Sequence, residues 1–180
     1  MTSNHTPHRR DARGFTLIET LLAVLILAVS LAAPLTIAAK AMSSALIAKD
    51  QTIAFFLAQD AVEYMRFVRD TNKLEGADWL ADMGPCVGSD GCRVDSRANT
   101  IVACTGTCPV LNYNETKSWY TYDSTVSTET IKPTIFTRKV TIASVVSNPD
   151  EESITVKVSW KDVGGVERSL VVYEHITDWQ

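Results

Sequence analysis

Four cysteines, Cys86, Cys92, Cys104 and Cys108, fall within a stretch of 23 residues. Thiols this close together hold a metal or pair as disulfides. Structural metal sites favour tight Cys-x2-Cys-type pairs, often mixed with histidine. The spacings here are x5, x11 and x3, and the three histidines, His5, His8 and His175, lie far from them. Two disulfides fit this pattern better than a metal site. Three connectivities are open, and spacing alone does not choose between sequential and crossed pairing. The Cys104-x3-Cys108 pair lacks the surrounding motif of a redox catalyst.

Other reactive side chains are read as structural. Asp60 and Glu63 lie on one face of a helical stretch and are assigned to a solvated surface rather than to acid–base work. Asn114-Glu115-Thr116 has the form of a glycosylation sequon. Lys132, Arg138 and Lys139 are candidates for a basic patch that would matter if DNA were bound, so nucleic acid is an unfavoured but open partner, and by preference they are assigned to a solvated strand face. There is no Gly-rich phosphate loop, no histidine pair at metal-ligand spacing and no nucleophile elbow. No catalytic residue, metal ligand or cofactor is assigned, and the chain is read as a non-enzyme.

Glu19 is the informative carboxylate. It is followed by 20 consecutive uncharged residues, Thr20 to Ala39. As a helix at ~1.5 Å per residue, that run spans the ~30 Å hydrocarbon core of a bilayer. A carboxylate at mid-bilayer costs about 2.5–3.5 kcal/mol on insertion scales and less near the interface, so its presence calls for a reason. Arg9, Arg10 and Arg13 precede the run, so the positive-inside rule puts residues 1–14 in the cytoplasm and the rest outside, where disulfides persist. Those arginines and Asp11 give the leader +2. With a net charge of −4 overall, the remaining chain carries −6, which argues against non-specific nucleic-acid binding. A secretory signal peptide is cut after its apolar region, but this run is long for that role and its helical pattern continues past Ala38-Ala39.

Gly14-Phe15-Thr16-Leu17-Ile18-Glu19 resembles the cleavage and methylation motif of type IV prepilins and pseudopilins. Leu57-Ala58-Gln59-Asp60-Ala61-Val62-Glu63-Tyr64 and Val68-Arg69-Asp70-Thr71-Asn72 are similar to the second half of the helix in minor, PilV-like pilins. The resemblance covers residues 9 to about 72. It implies that a prepilin peptidase cuts after Gly14 and N-methylates Phe15. It also implies that Glu19, one helical turn from Phe15, pairs in the packed filament with the new amine of a neighbouring subunit. Glycine suits the cut because it lets a protease approach the backbone closely, and an anion in the first turn suits the helix dipole.

Behind the motif, Pro34 removes one backbone donor and clashes with the carbonyl of Ser30. A bend is expected there, with the Ser30 hydroxyl a candidate to re-satisfy the freed group. No helix breaker occurs from Thr36 to Asn72. Ile53, Leu57, Ala61, Tyr64 and Val68 recur at helical spacing and form one face, with Met65 and Phe67 also assigned to the core. A straight helix from Phe15 to about Asp70 would be ~84 Å long. No single small domain covers that surface, so its exposed half implies lipid and then sibling helices. Ala77 to Met83 is expected to add a helical turn or two.

From Ser118 the period changes to two. Trp119–Tyr122 is expected as a short strand. Ile135–Val146 and Ile154–Lys161 alternate as half-buried strands, and Val166–Ile176 returns after a Gly164-Gly165 turn. Asn148-Pro149-Asp150 is a turn. Asp178-Trp179-Gln180 ends the sequence without a sorting signal. The predicted organisation is a leader over 1–14, a helix over 15–72 with its membrane span at about 15–39, a cysteine-containing loop region over 73–117, and an antiparallel sheet over 118–180. The fold class is α+β: a long N-terminal helix, transmembrane and then amphipathic, packed on a small antiparallel β-sheet. That architecture is also what the pilin resemblance implies.

The expected role is a structural subunit, a minor pilin of a type IV pilus or related filament. Its partners would be the prepilin peptidase, other pilin subunits and, before assembly, the cytoplasmic membrane. Its location would be single-pass in that membrane and then in the extracellular filament. A type II secretion pseudopilin and a DNA-uptake pilin are near alternatives. An uncleaved single-pass binding domain is the alternative of a different class.

Overall fold

The computed structural model describes residues 14–124 and 130–178. One helix, α1, spans Leu17–Leu74. The chain divides into two compact units, up to Ser44 and from Ala45 onward.

In the first unit α1 exposes nearly all of its side chains. It has the length and apolarity to cross a membrane. Thr16 caps the helix, and the Glu19 amide donates to its backbone oxygen (3.1 Å) and to its hydroxyl (3.3 Å). The helix continues through Pro34. The Ser30 hydroxyl donates to the Leu27 carbonyl at 2.8 Å, so it does not serve its own carbonyl, the one Pro34 frees.

In the second unit the amphipathic half of α1 packs on a sheet. Leu57, Ala61, Tyr64 and Val68 are buried as the periodicity requires, and Ile53 is partly buried against them. Met65 is fully buried, whereas Phe67, assigned above to the core, is 59% exposed. Position 67 lies about 100° around the helix from Val68, off the buried stripe. The helix ends in a Schellman arrangement around Gly76 (φ 72°). The Ala77 amide donates to the Asn72 carbonyl and the Gly76 amide to that of Lys73. The following segment forms turns and a short 3₁₀ helix, Gly84–Cys86, rather than a further α-helical turn.

Among the described residues seven strands form one sheet: β1 Cys92–Asp95, β2 Thr100–Ala103, β3 Val110–Asn114, β4 Trp119–Thr121, β5 Ile131–Ser144, β6 Glu151–Lys161 and β7 Glu167–Thr177. All named pairings are antiparallel. The sheet is larger than the strands expected from Ser118 onward, because the stretch 73–117 is not a loop region but carries β1, β2 and β3. β5 is the hub. It pairs along one edge with β3 and then β1, and along the other with β6, which pairs with the edge strand β7. β5 begins four residues before the expected Ile135. Its Pro133 has no amide to give the ladder, and the register with β3 shifts at that point, between Val110 and Asn112. The Thr134 hydroxyl donates to the Leu111 carbonyl at 2.7 Å beside the irregularity.

The core lies between α1 and one sheet face. Ile154, Val156 and Val158 of β6 and Val140 of β5 are fully buried there with Ala54, Ala58 and Met65. Burying one such large aliphatic side chain stabilises by about 1.5–3 kcal/mol. Cys86 bonds Cys92, and Cys104 bonds Cys108. The pairing is therefore sequential, and the first bridge joins the 3₁₀ helix to β1.

Candidate functional site

The Gly14–Phe15 peptide bond precedes the helix in non-helical backbone. Phe15 is 82% exposed, and no atom lies within 4 Å of where a Cβ on Gly14 would stand. The preceding residues, including Arg9, Arg10 and Arg13, lie outside the described part of the chain.

The apolar segment behind it contains few polar side chains, and its hydroxyls are satisfied internally. Thr20, Ser30 and Thr36 each donate at 2.8 Å to the carbonyl three residues back. In lipid this removes the cost of bare hydroxyls. Glu19 is different, because among the described residues its carboxylate has no partner. It sits at the third helical position, three residues after the capping threonine. Thr16-x-x-Glu19 thus has the spacing of a capping box, a signal readable in the sequence that the prepilin comparison alone passes over. Residues 14–19 thus bring together an exposed peptide bond, a capping threonine and a carboxylate without a partner among the described residues.

The sheet unit brings together residues assigned above to solvated surfaces. Arg138 is 2% exposed. Its Nη1 donates to the Leu57 carbonyl (2.6 Å) and to Asp60 Oδ2 (2.9 Å), and its Nη2 to the Val94 carbonyl (2.5 Å). Arg138 is therefore a buried clamp between β5, β1 and α1, and Asp60 is its counter-ion rather than a free surface acid. Ser96 also donates to Asp60 at 2.8 Å. Strand alternation alone puts an even-numbered β5 residue on the core face, between Phe136 and Val140, which was the available signal. Glu63 does face solvent, paired with Arg66 at 3.0 Å. Lys132 pairs with Glu115, and Lys139 donates to the Ser89 carbonyl. The three cations thus do not form one patch.

Asp95 is a second buried node that the sequence reading missed. It accepts from the Thr121 hydroxyl (2.7 Å) and from the amides of Tyr122 (2.6 Å), Arg97 (3.0 Å) and Ala98 (3.1 Å). Burial pushes its carboxyl up, but these four donors outweigh that and hold it below the usual carboxylate value. Asn114 of the sequon is buried, with its side-chain oxygen accepting from the Lys117 amide at 3.0 Å. It is the last residue of β3 and is not open to a glycan in the folded unit.

The described residues contain no cluster of three or more His, Cys, Asp or Glu side chains able to hold a metal. No curated protein and no solved structure matches the chain. Residues 9–33 match the family model of the prokaryotic N-terminal methylation motif, and that match takes in the three arginines, the Gly14–Phe15 bond, Glu19 and the start of the apolar helix.

Proposed function

We propose that this chain is a prepilin: a structural subunit of a type IV pilus or related filament, cleaved after Gly14, N-methylated at Phe15 and assembled through α1. The observation that carries the reading is the unneutralised Glu19 within a helical segment whose hydroxyls are already satisfied. A carboxylate costs free energy in an apolar setting, and removal of the leader creates an amine four residues away to meet it. The amine of Phe15 in an adjacent copy is the partner that suits this charge. Pro34 would let the helix bend between its membrane-embedded and packed forms. The reading assigns no reaction to the chain itself; cleavage and methylation belong to the prepilin peptidase. The cytoplasmic membrane holds the subunit first, with its N-terminus inside and its sheet outside, and the filament holds it afterwards. A minor, PilV-like place in that filament rests on the 57–72 segment alone.

Glu19→Ala tests the pairing role. Processing is expected to survive, since the Gly14–Phe15 bond is untouched, while incorporation into sheared filaments falls about tenfold, the effect of losing a charge pair worth about 1.4 kcal/mol. Incorporation equal to wild type would remove Glu19 from the assembly mechanism.

A further inference from the structure

Trp160 closes the buried alternation of β6 and is 6% exposed. Its indole Nε1 has no hydrogen-bond partner among the described residues. A buried donor without an acceptor is costly, and a purely apolar ring would pack here without that cost. The register sets Arg168 of β7 directly opposite Trp160. Arg168 Nε donates to Asp162 Oδ2 at 3.0 Å, and its two terminal nitrogens have no partner among the described residues. Indole and guanidinium can only donate. Two such groups therefore stand side by side with unused donors.

A cavity of about 160 Å³ lies at this point, lined by Trp160, Arg168, Ser169 and Leu170 of the β6–β7 hairpin and by Ile47 and Gln51 of α1. The Ser169 hydroxyl and the Gln51 carboxamide can also donate, and neither has a partner among the described residues. No carboxylate lines the cavity. Asp162 is held to the hairpin turn by the amides of Gly164 and Val166, both at 2.9 Å, and by Arg168. The space is well below the ~300 Å³ at which pockets enclose a free small molecule. It suits a compact acceptor group carried on something larger.

We propose that this cavity receives the phosphate of a phospholipid headgroup, on the side of the membrane that holds the sheet, while the subunit resides in the bilayer. The inference rests on the reading that α1 crosses that membrane. Lys40 is the only charged residue between Glu19 and Lys49, and a lysine there can snorkel toward the headgroups. As helix, Thr20 to Ala48 is ~43 Å long, against ~40–45 Å for a bilayer with its headgroups. Ile47 and Gln51 thus fall at headgroup level, where the phosphodiester is the abundant acceptor. Its oxygens match the fork of a guanidinium, and an indole with an apolar body and one donor suits the same interface.

The test uses the full chain in maltoside micelles, which carry no phosphate. Its tryptophan nitrogens are isotope-labelled, and the Trp160 Nε1–H signal is identified by its loss in Trp160→Phe. Phosphatidylglycerol, a diglucosyl diacylglycerol with the same acyl chains and inorganic phosphate are titrated in turn. A saturable downfield shift of the Trp160 signal with phosphatidylglycerol alone is expected. Arg168→Gln should weaken this binding about tenfold, the effect of one charge-assisted hydrogen bond. Ser169→Ala, which leaves the Arg168–Asp162 pair intact, should weaken it about threefold. Lys132→Gln, the same charge change away from the cavity, should alter it by less than about twofold. No shift with phosphatidylglycerol, an equal shift with the glycolipid, or a shift seen only with inorganic phosphate or only as chains associate would each overturn the assignment. Liposome flotation separates this inference from the reading beneath it. A chain that floats with phosphatidylglycerol vesicles but shows no Trp160 shift loses the cavity assignment alone, whereas a chain that does not float loses the membrane span as well.

Discussion

Asp60 and Arg138 form an ion pair whose two halves should respond unequally to mutation. Asp60→Ala leaves the guanidinium of Arg138 in place, 2% exposed, with its two backbone carbonyls but no counter-ion. Breaking a buried pair in this way costs about 3–5 kcal/mol. Asp60 is 37% exposed, so part of the pair's attraction is already screened, and the two carbonyl acceptors remain. The expected loss is therefore about 2–3 kcal/mol. Arg138→Met removes the buried charge itself and fills most of its volume with an apolar side chain. Asp60 can then turn to water and keep Ser96, so the expected loss is about 1 kcal/mol. The double variant should resemble Arg138→Met and be more stable than Asp60→Ala alone. Urea titration of the full chain in micelles reads this out by tryptophan fluorescence, with buried Trp160 as a reporter of the sheet unit. If Arg138→Met is the more damaging single change, or if the double variant shows the sum of the two losses, the argument from burial is wrong.

Gly91 and Gly76 both have positive φ but differ in surroundings. A Cβ on Gly91 would stand 2.5 Å from the Val140 carbonyl oxygen and 2.8 Å from Thr141 Cγ2, while nothing lies within 4 Å of one on Gly76. Gly91→Ala should destabilise by about 3 kcal/mol and Gly76→Ala by about 1 kcal/mol in the same titration, the difference being the clash with backbone. Asp95 gives a pH dependence. Its pKa is held below the ordinary 3.8, so its contribution is fully present above that value and is lost as pH falls through the lower folded-state pKa. Asp95→Asn should therefore be less stable than wild type at neutral pH, and the gap should narrow in acid below about pH 4. A gap that stays constant down to acid unfolding would contradict this.

The parts of the fold legible in the sequence are those with a sustained period. Leu57, Ala61, Tyr64 and Val68 mark the buried helix face, and the Ile154-Val156-Val158-Trp160 alternation marks β6, because each repeats over several turns or residue pairs. β1 to β3 are four or five residues long, and a stretch of cysteine, glycine and proline separates β2 from β3. The pairing of β1 and β3 with β5 is an event between separate segments that no local pattern announces. Phe67 shows the converse error, since hydrophobicity without the right angular position does not imply burial. Arg138 and Asp60 are read as surface residues from their charge, although the alternation Phe136-Arg138-Val140 places Arg138 on the core face. What no local pattern announces is the partner, Asp60, 78 residues away in the chain. At the N-terminus the sequence was more informative, because the chemistry there is local: a glycine, a cap and a carboxylate within one turn of the start of α1.

The central claim concerns that turn. Intact mass and N-terminal sequencing of the mature chain isolated from cells test it most directly. A chain beginning at Phe15 with one added methyl group on its amine is the predicted result. A chain that retains Gly14 and the arginines before it would contradict the account.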